Sequence, residues 1–202
     1  MSISHFEHTA ETAPDPAAGR AGSPAQRTAA SRRRTAGTPI HAANMAADLN
    51  DALNRLAAEW RQPELQANAS LLVEYAARLT GADCSCWYRV PKKSDNARWL
   101  TLTARVGSAA VPGRLPADHE TILFLQECGG AAVQLTKSGP FPLLLLHDSL
   151  QSAAALAVRA RSGEEGLLVA GSRRPFLFNG QALTALERLG SFAGYASYRR
   201  TS

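Results

Sequence analysis

The large apolar residues Met45, Leu49, Leu53, Leu56 and Trp60 recur at steps of three and four, the spacing of one face of a helix. Pro63 ends that helix, because proline lacks the amide donor and crowds the preceding turn. A second helix follows, with Asn68 as its cap, Leu72, Val73, Ala76 and Leu79 as its apolar stripe and Gly81 as its stop. The period then shortens to two. Residues 84–90 and 99–106 read as strands joined by a polar turn through Pro91, Lys92, Lys93, Ser94, Asp95 and Asn96, a β-hairpin. Residues 107–116 read as loop or short strand, and 118–127 as a helix that Gly129 and Gly130 break before a short strand at 131–135. After a loop over 136–152, residues 153–161 and 166–172 form a second strand pair about the turn from Ser162 to Glu165. Asn179 caps the last helix, whose face is Leu183, Leu186, Gly190, Ala193 and Ser197, widened by Ala182, Leu189 and Ala196.

Tight turns between strands require antiparallel pairing, and helices at both ends of such a sheet must cover one of its faces. The expected fold is therefore α+β, an antiparallel β-sheet with N- and C-terminal helices packed on one face. It occupies residues 43–202. Residues 1–42 hold Pro14, Pro16, Pro24 and Pro39 and almost no large apolar side chain beyond Phe6, too little to offset the entropy of ordering. They read as a disordered tail, and the run Ser31-Arg32-Arg33-Arg34-Thr35 within it as solvated charge.

Composition narrows the function classes. At 45% hydrophobic and 19% charged, the 202 residues suffice for a core without metal or disulfide staples. Unbroken apolar runs such as Leu143 to Leu146 are far short of a membrane span, and the start lacks a secretory pattern, so a cytoplasmic protein with no membrane partner is expected. Three cysteines, Cys84, Cys86 and Cys128, are too few for a secreted disulfide framework. Of the net charge of +5, five arginines against three acids place +2 in residues 1–42, and the rest is dilute. Nucleic-acid binding shows clustered charge, so no nucleic-acid partner is expected.

Several strings resemble a GAF domain across residues 45–200. Ala76-Ala77-Arg78-Leu79-Thr80-Gly81-Ala82-Asp83 resembles that family's junction between helix and first strand, and residues 152–158 its penultimate strand. Gly166-Leu167-Leu168-Val169-Ala170-Gly171-Ser172, with Phe176 to Asn179 and the Leu-rich final helix, resembles its closing elements. The resemblance implies sensing through a bound cyclic nucleotide, tetrapyrrole, haem or small metabolite, or service as a dimerisation unit. The residue set of the cyclic-nucleotide binders, a bilin-attachment string and the multi-cysteine pattern of the free methionine sulfoxide reductases are not evident in this chain, so the cofactor is left unknown.

Strand parity sorts the sheet. Cys84, Cys86, Tyr88 and Val90, with Leu100, Leu102, Ala104 and Val106, are expected beneath the terminal helices. The reverse carries Trp87, Arg89, Trp99, Thr101 and Thr103, then Arg105, Arg159 and Arg161, which is the side where the resemblance places the ligand pocket. Aromatic walls with a few donors suit a small anionic, partly aromatic ligand, so Trp87, Arg89, Trp99, Thr101 and Thr103 are the candidate ligand-binding residues. The alternative is that the tryptophans pack across strands and the arginines are solvated.

No nucleophile elbow, P-loop or zinc-protease motif is present, and the adjacent His119 and Glu120 and the consecutive His147-Asp148-Ser149 cannot form a catalytic geometry among themselves. Cys84 and Cys86 with Cys128, His119 or His147 lack the spacing of a metal site, and no metal is expected. The sequence thus reads as a small-molecule-binding signalling module, not an enzyme, that forms a homodimer and acts through an effector protein. Two alternatives stand beside it: a ligand-free adaptor, and a redox enzyme using its cysteines.

Overall fold

The computed structural model describes residues 38–92, 98–137, 149–175 and 177–197, and the side chains of the first helix from Ala47 onward. The expected tail up to residue 37 with its arginine run, most of the first hairpin turn, the loop residues His147 and Asp148, and Phe176 lie outside the described residues. The chain forms two units, 1–41 and 42–202; of the first, only the opening turn of a helix is described.

Among the described residues four helices and six strands follow one another. They are α1 (Thr38–Glu59), a 3₁₀ turn (Gln66–Asn68), α2 (Ala69–Thr80), β1 (Cys84–Arg89), β2 (Trp99–Gly107), β3 (Arg114–Pro116), α3 (Glu120–Glu127), β4 (Val133–Thr136), β5 (Ser152–Arg159), β6 (Glu165–Ser172) and α4 (Gly180–Ala196). α1 begins inside the stretch expected to be tail, because Pro39 stands in its first turn, where a missing amide donor costs nothing. Gly81 closes α2 in the left-handed conformation and donates to Ala77 O, and Asn179 caps α4 by accepting from Gln181 N and Ala182 N. Asn68 does not cap α2. Its side-chain amide donates instead to Gln62 O and Glu64 O, which ties down the connector after Pro63.

The strands form one antiparallel sheet in the order β3-β2-β1-β6-β5-β4. α1, α2 and α4 share one of its faces. Leu56, Leu72, Ala76, Leu186 and Leu189 pack there on Trp87, Leu156, Val158 and Leu168, and the edge-on pair Trp60–Phe192 (5.6 Å between ring centres) joins α1 to α4. Each of these leucines contributes roughly 1.5–3 kcal/mol by leaving water. α3 covers the other face, with Ile122 and Leu125 against Cys86, Tyr88, Leu100, Leu167 and Val169.

The two faces are therefore assigned differently from the parity expectation. Cys86, Tyr88, Val90, Leu100 and Leu102 face α3, and Trp87 lies beneath the terminal helices together with Ala104 and Val106. The physical reason is a β-bulge. Trp87 pairs with Ala104 but Tyr88 pairs with Leu102, so Thr103 is an extra residue in β2 and the strand turns over at that point. β1 also gives no inside-outside alternation, since its first five residues are all buried. Cys84 sits in a small separate cluster with Ala109 and Leu150.

Candidate functional site

The residues singled out from the sequence do not form one pocket. Trp87 is only 1% exposed; its Nε1 donates to Gln66 Oε1 (3.1 Å), and the ring lies on the backbone of Gly166. Thr103 is the bulge residue, and its Oγ1 donates to Trp87 O (3.4 Å). Arg89, Trp99 and Thr101 share the exposed end of the helix-side face, where Arg89 pairs with Thr101 and Thr101 with Arg114. They are exposed on the sheet and line no part of the cavity at its β5–β6 end.

A cavity of about 400 Å³ lies elsewhere, at the end of the sheet formed by β5 and β6. On the α3 side its wall is apolar, built from Val90, Leu100, Ile122, Ala157 and Leu167, with Gln126 of α3 as a polar group. At the mouth, Arg159 Nε pairs with Glu165 Oε1 at 2.5 Å across the β5–β6 hairpin. Beyond the strand edge the cavity continues to Gly190, Ser191, Gly194 and Tyr195 of α4, where the Arg161 guanidinium lies 5.7 Å from the centre of the Tyr195 ring. Of all the residues that strand parity gathers on the expected binding face, only Arg159 and Arg161 reach this cavity.

The opening exists because β4 is short. It pairs with residues 152–155 of β5, so among the described residues no strand flanks the outer side of the second half of β5. Gly129 and Gly130, both at positive φ, turn the chain sharply after α3 and keep side chains out of the space. α4 can approach from behind because Gly194 has no Cβ; one there would stand 2.7 Å from Arg159 O. The adjoining turn is anchored. Glu164 accepts from Leu65 N (2.8 Å) and Gln66 N (3.0 Å), so the residue beside the cavity-lining Glu165 holds the connector between α1 and α2.

Cys84 and Cys86 are buried, and Cys128 is half-buried at the end of α3. Burial pushes the Cys86 thiol up from 9.0 to about 12, and it raises Cys84 as well. A thiol held protonated at neutral pH is a weak nucleophile. The His119 ring caps α3, its Nδ1 accepting from Thr121 N (3.2 Å). Among the described residues no three His, Cys, Asp or Glu side chains converge as metal ligands, and no helix is long and apolar enough to cross a membrane.

The buried thiol gives a pH signature. The unfolded thiol ionises near 9.0 and the folded one near 12, so above the lower value unfolding releases a proton. The Cys86 contribution is thus fully present below about pH 9 and falls as pH rises toward 12, by up to about 1.4 kcal/mol per pH unit. Urea unfolding between pH 8 and 11 is expected to show a steeper loss for the wild type than for Cys86→Ala. Equal slopes would mean that the thiol is not held protonated by the fold.

An antiparallel sheet with its terminal helices on one face, and a third helix over a cavity on the other, defines a GAF-like fold. No protein-family model and no curated protein matches the sequence. Among solved structures the chain is similar to the free methionine-R-sulfoxide reductase of Neisseria meningitidis in complex with its substrate, at 16% identity over 76% of this chain and 88% of that one, with a TM-score of 0.60. It is similar to the GAF domain of the Acinetobacter phosphoenolpyruvate-protein phosphotransferase at 20% identity over 73% and 90%, TM-score 0.56. It is also similar to the Stigmatella aurantiaca phytochrome photosensory core module, at 16% identity over 80% of this chain and 37% of that one, TM-score 0.56. At these identities the likeness is one of fold, and the fold is GAF-like. It also corrects the expectation that the chain is not an enzyme: reductases share this architecture, so the architecture does not separate enzymes from binding modules.

Proposed function

We propose that the chain is a small-molecule-binding signalling module of the GAF type, with the cavity at the β5–β6 end as its ligand site. The observation that carries this reading is a space of about 400 Å³ in which an apolar wall meets an ion pair, the composition and size of small-ligand sites. The phosphotransferase GAF domain and the photosensory module support it by fold. Because Arg159 is matched by Glu165, the mouth offers both a donor and an acceptor, and a purely anionic head is not singled out. In this reading the Glu164 bonds to Leu65 N and Gln66 N carry the state of the site to the terminal helices, through which two copies pair and engage an effector protein in the cytoplasm.

Ala157 lines the cavity, and Ala157→Phe is designed to fill it. In a thermal-shift panel of small carboxylates, phosphates, nucleotides and amides, at least one compound is expected to stabilise the wild type by about 2–3 kcal/mol at saturation and the variant by far less. Native mass spectrometry reads the bound mass and the pairing together. Hits that stabilise both proteins equally would place the ligand elsewhere, and a chain without any bound or binding compound would favour a ligand-free adaptor.

A further inference from the structure

We infer that the cavity receives its ligand as an added strand: a short extended peptide, or an equivalent amide chain, hydrogen-bonded to the main chain of Ala157. This rests on the cavity being the ligand site and names the class of ligand it takes.

The inference follows from the hydrogen-bond ladder. Ala160 N donates to Glu164 O (2.8 Å), which makes 160 and 164 an exchanging pair; 158 with 166 and 156 with 168 follow by alternation. Residues 157 and 159 therefore turn their N–H and C=O groups away from β6. The corresponding outward groups of Ala153 and Ala155 are met by Leu135 and Val133 of β4, and there the ladder stops. The residues before β4 are led elsewhere, Ala131 N to Cys128 O (3.1 Å) and Ala132 N to Glu187 Oε1 (3.0 Å). Among the described residues nothing takes up the main-chain groups of Ala157, which line the cavity in a half-buried position.

An unpaired stretch of strand edge pairs readily with another chain and is normally blocked. Here the slot beside it is bordered by Gly129 and Gly130, which bring no side chains into it, and a Cβ on Gly130 would stand at ordinary contact distance, 3.7 Å, from Ala157 O. Gly194 backs directly onto Arg159 O and closes the far end, so the added segment is about three residues long at the usual rise of about 3.4 Å per residue. The residue opposite Ala157 would send its side chain toward Ile122 and Leu167, and its neighbours would face the glycines of α4. The favoured ligand has one apolar side chain between two small ones.

The test uses N-acetyl-Ala-Leu-Ala-amide, the same peptide N-methylated at leucine, and ¹⁵N-labelled full chain. Binding of the first is expected to move the Ala157 amide resonance downfield and slow its hydrogen exchange, and N-methylation, which removes the donor to Ala157 O, to weaken binding about tenfold or more. Ala157→Pro removes only an N–H outside the β6 ladder, a change edge strands tolerate, and is expected to lower affinity similarly with the fold intact. The inference is overturned if the peptide binds with the Ala157 amide unmoved, or if the N-methylated form binds equally well. It is also overturned if other compounds of the panel occupy the cavity and no amide chain does, a result that leaves the ligand site standing. Failure of every compound would instead remove the ligand site itself.

Discussion

Trp87→Ala is expected to lower the unfolding free energy by about 3–5 kcal/mol, the range for deleting a large aromatic side chain from a packed core. The ring is 1% exposed, packs among residues of α2, α4 and the strands, and holds Gln66 through its Nε1. Alanine leaves a void under the terminal helices and a side-chain acceptor without its donor. For a domain of this size the midpoint of thermal unfolding should fall by roughly 10 °C or more. Trp99→Ala is the control, since that ring is 49% exposed and surface changes usually stay within about 0.5 kcal/mol. Urea unfolding of both variants separates the two roles weighed for Trp87. Near-native stability with lost ligand binding would restore it to a binding surface.

Gly166→Ala should be a strongly damaging small-for-small exchange in the sheet. A Cβ at this position would overlap Cζ2 and Cη2 of Trp87, and the indole is rigid and enclosed. Relief requires the ring or the β1–β6 pairing to shift, at a cost of about 3 kcal/mol, the upper part of the usual range for overpacking. The mechanism makes a sharper claim about the double variant. With Trp87 already reduced to alanine the clash is gone, and Gly166→Ala should then cost less than about 1 kcal/mol. Equal penalties in the two backgrounds would show that the ring contact is not the cause.

Features set by neighbouring residues were legible in the sequence. The stop at Gly81, the cap at Asn179, the two hairpins and the helical faces depend on contacts a few residues apart, and they stand where composition puts them. The sides of the sheet were not legible, because a bulge adds one residue without any composition mark. Thr103 is an ordinary strand residue, yet it reverses the parity of everything after it in β2. Nor could alternation label β1, whose two faces meet two different cores. The cavity was hidden for a related reason: it depends on how far β4 runs along β5, a pairing between residues some twenty positions apart. Gly129 and Gly130 were its nearest signal, visible as a helix break but not as the side of a slot. Asn68 shows the limit of local rules, since a cap residue with a better offer from Gln62 O and Glu64 O takes it.

The hairpin turn at residues 160–164 has a mechanical consequence. Glu164 grips the connector of the first two helices and Glu165 stands at the mouth of the cavity, so one peptide unit acts as a lever arm between them. Inserting even one residue between Glu164 and Glu165 would leave both ends chemically intact while letting each move without the other.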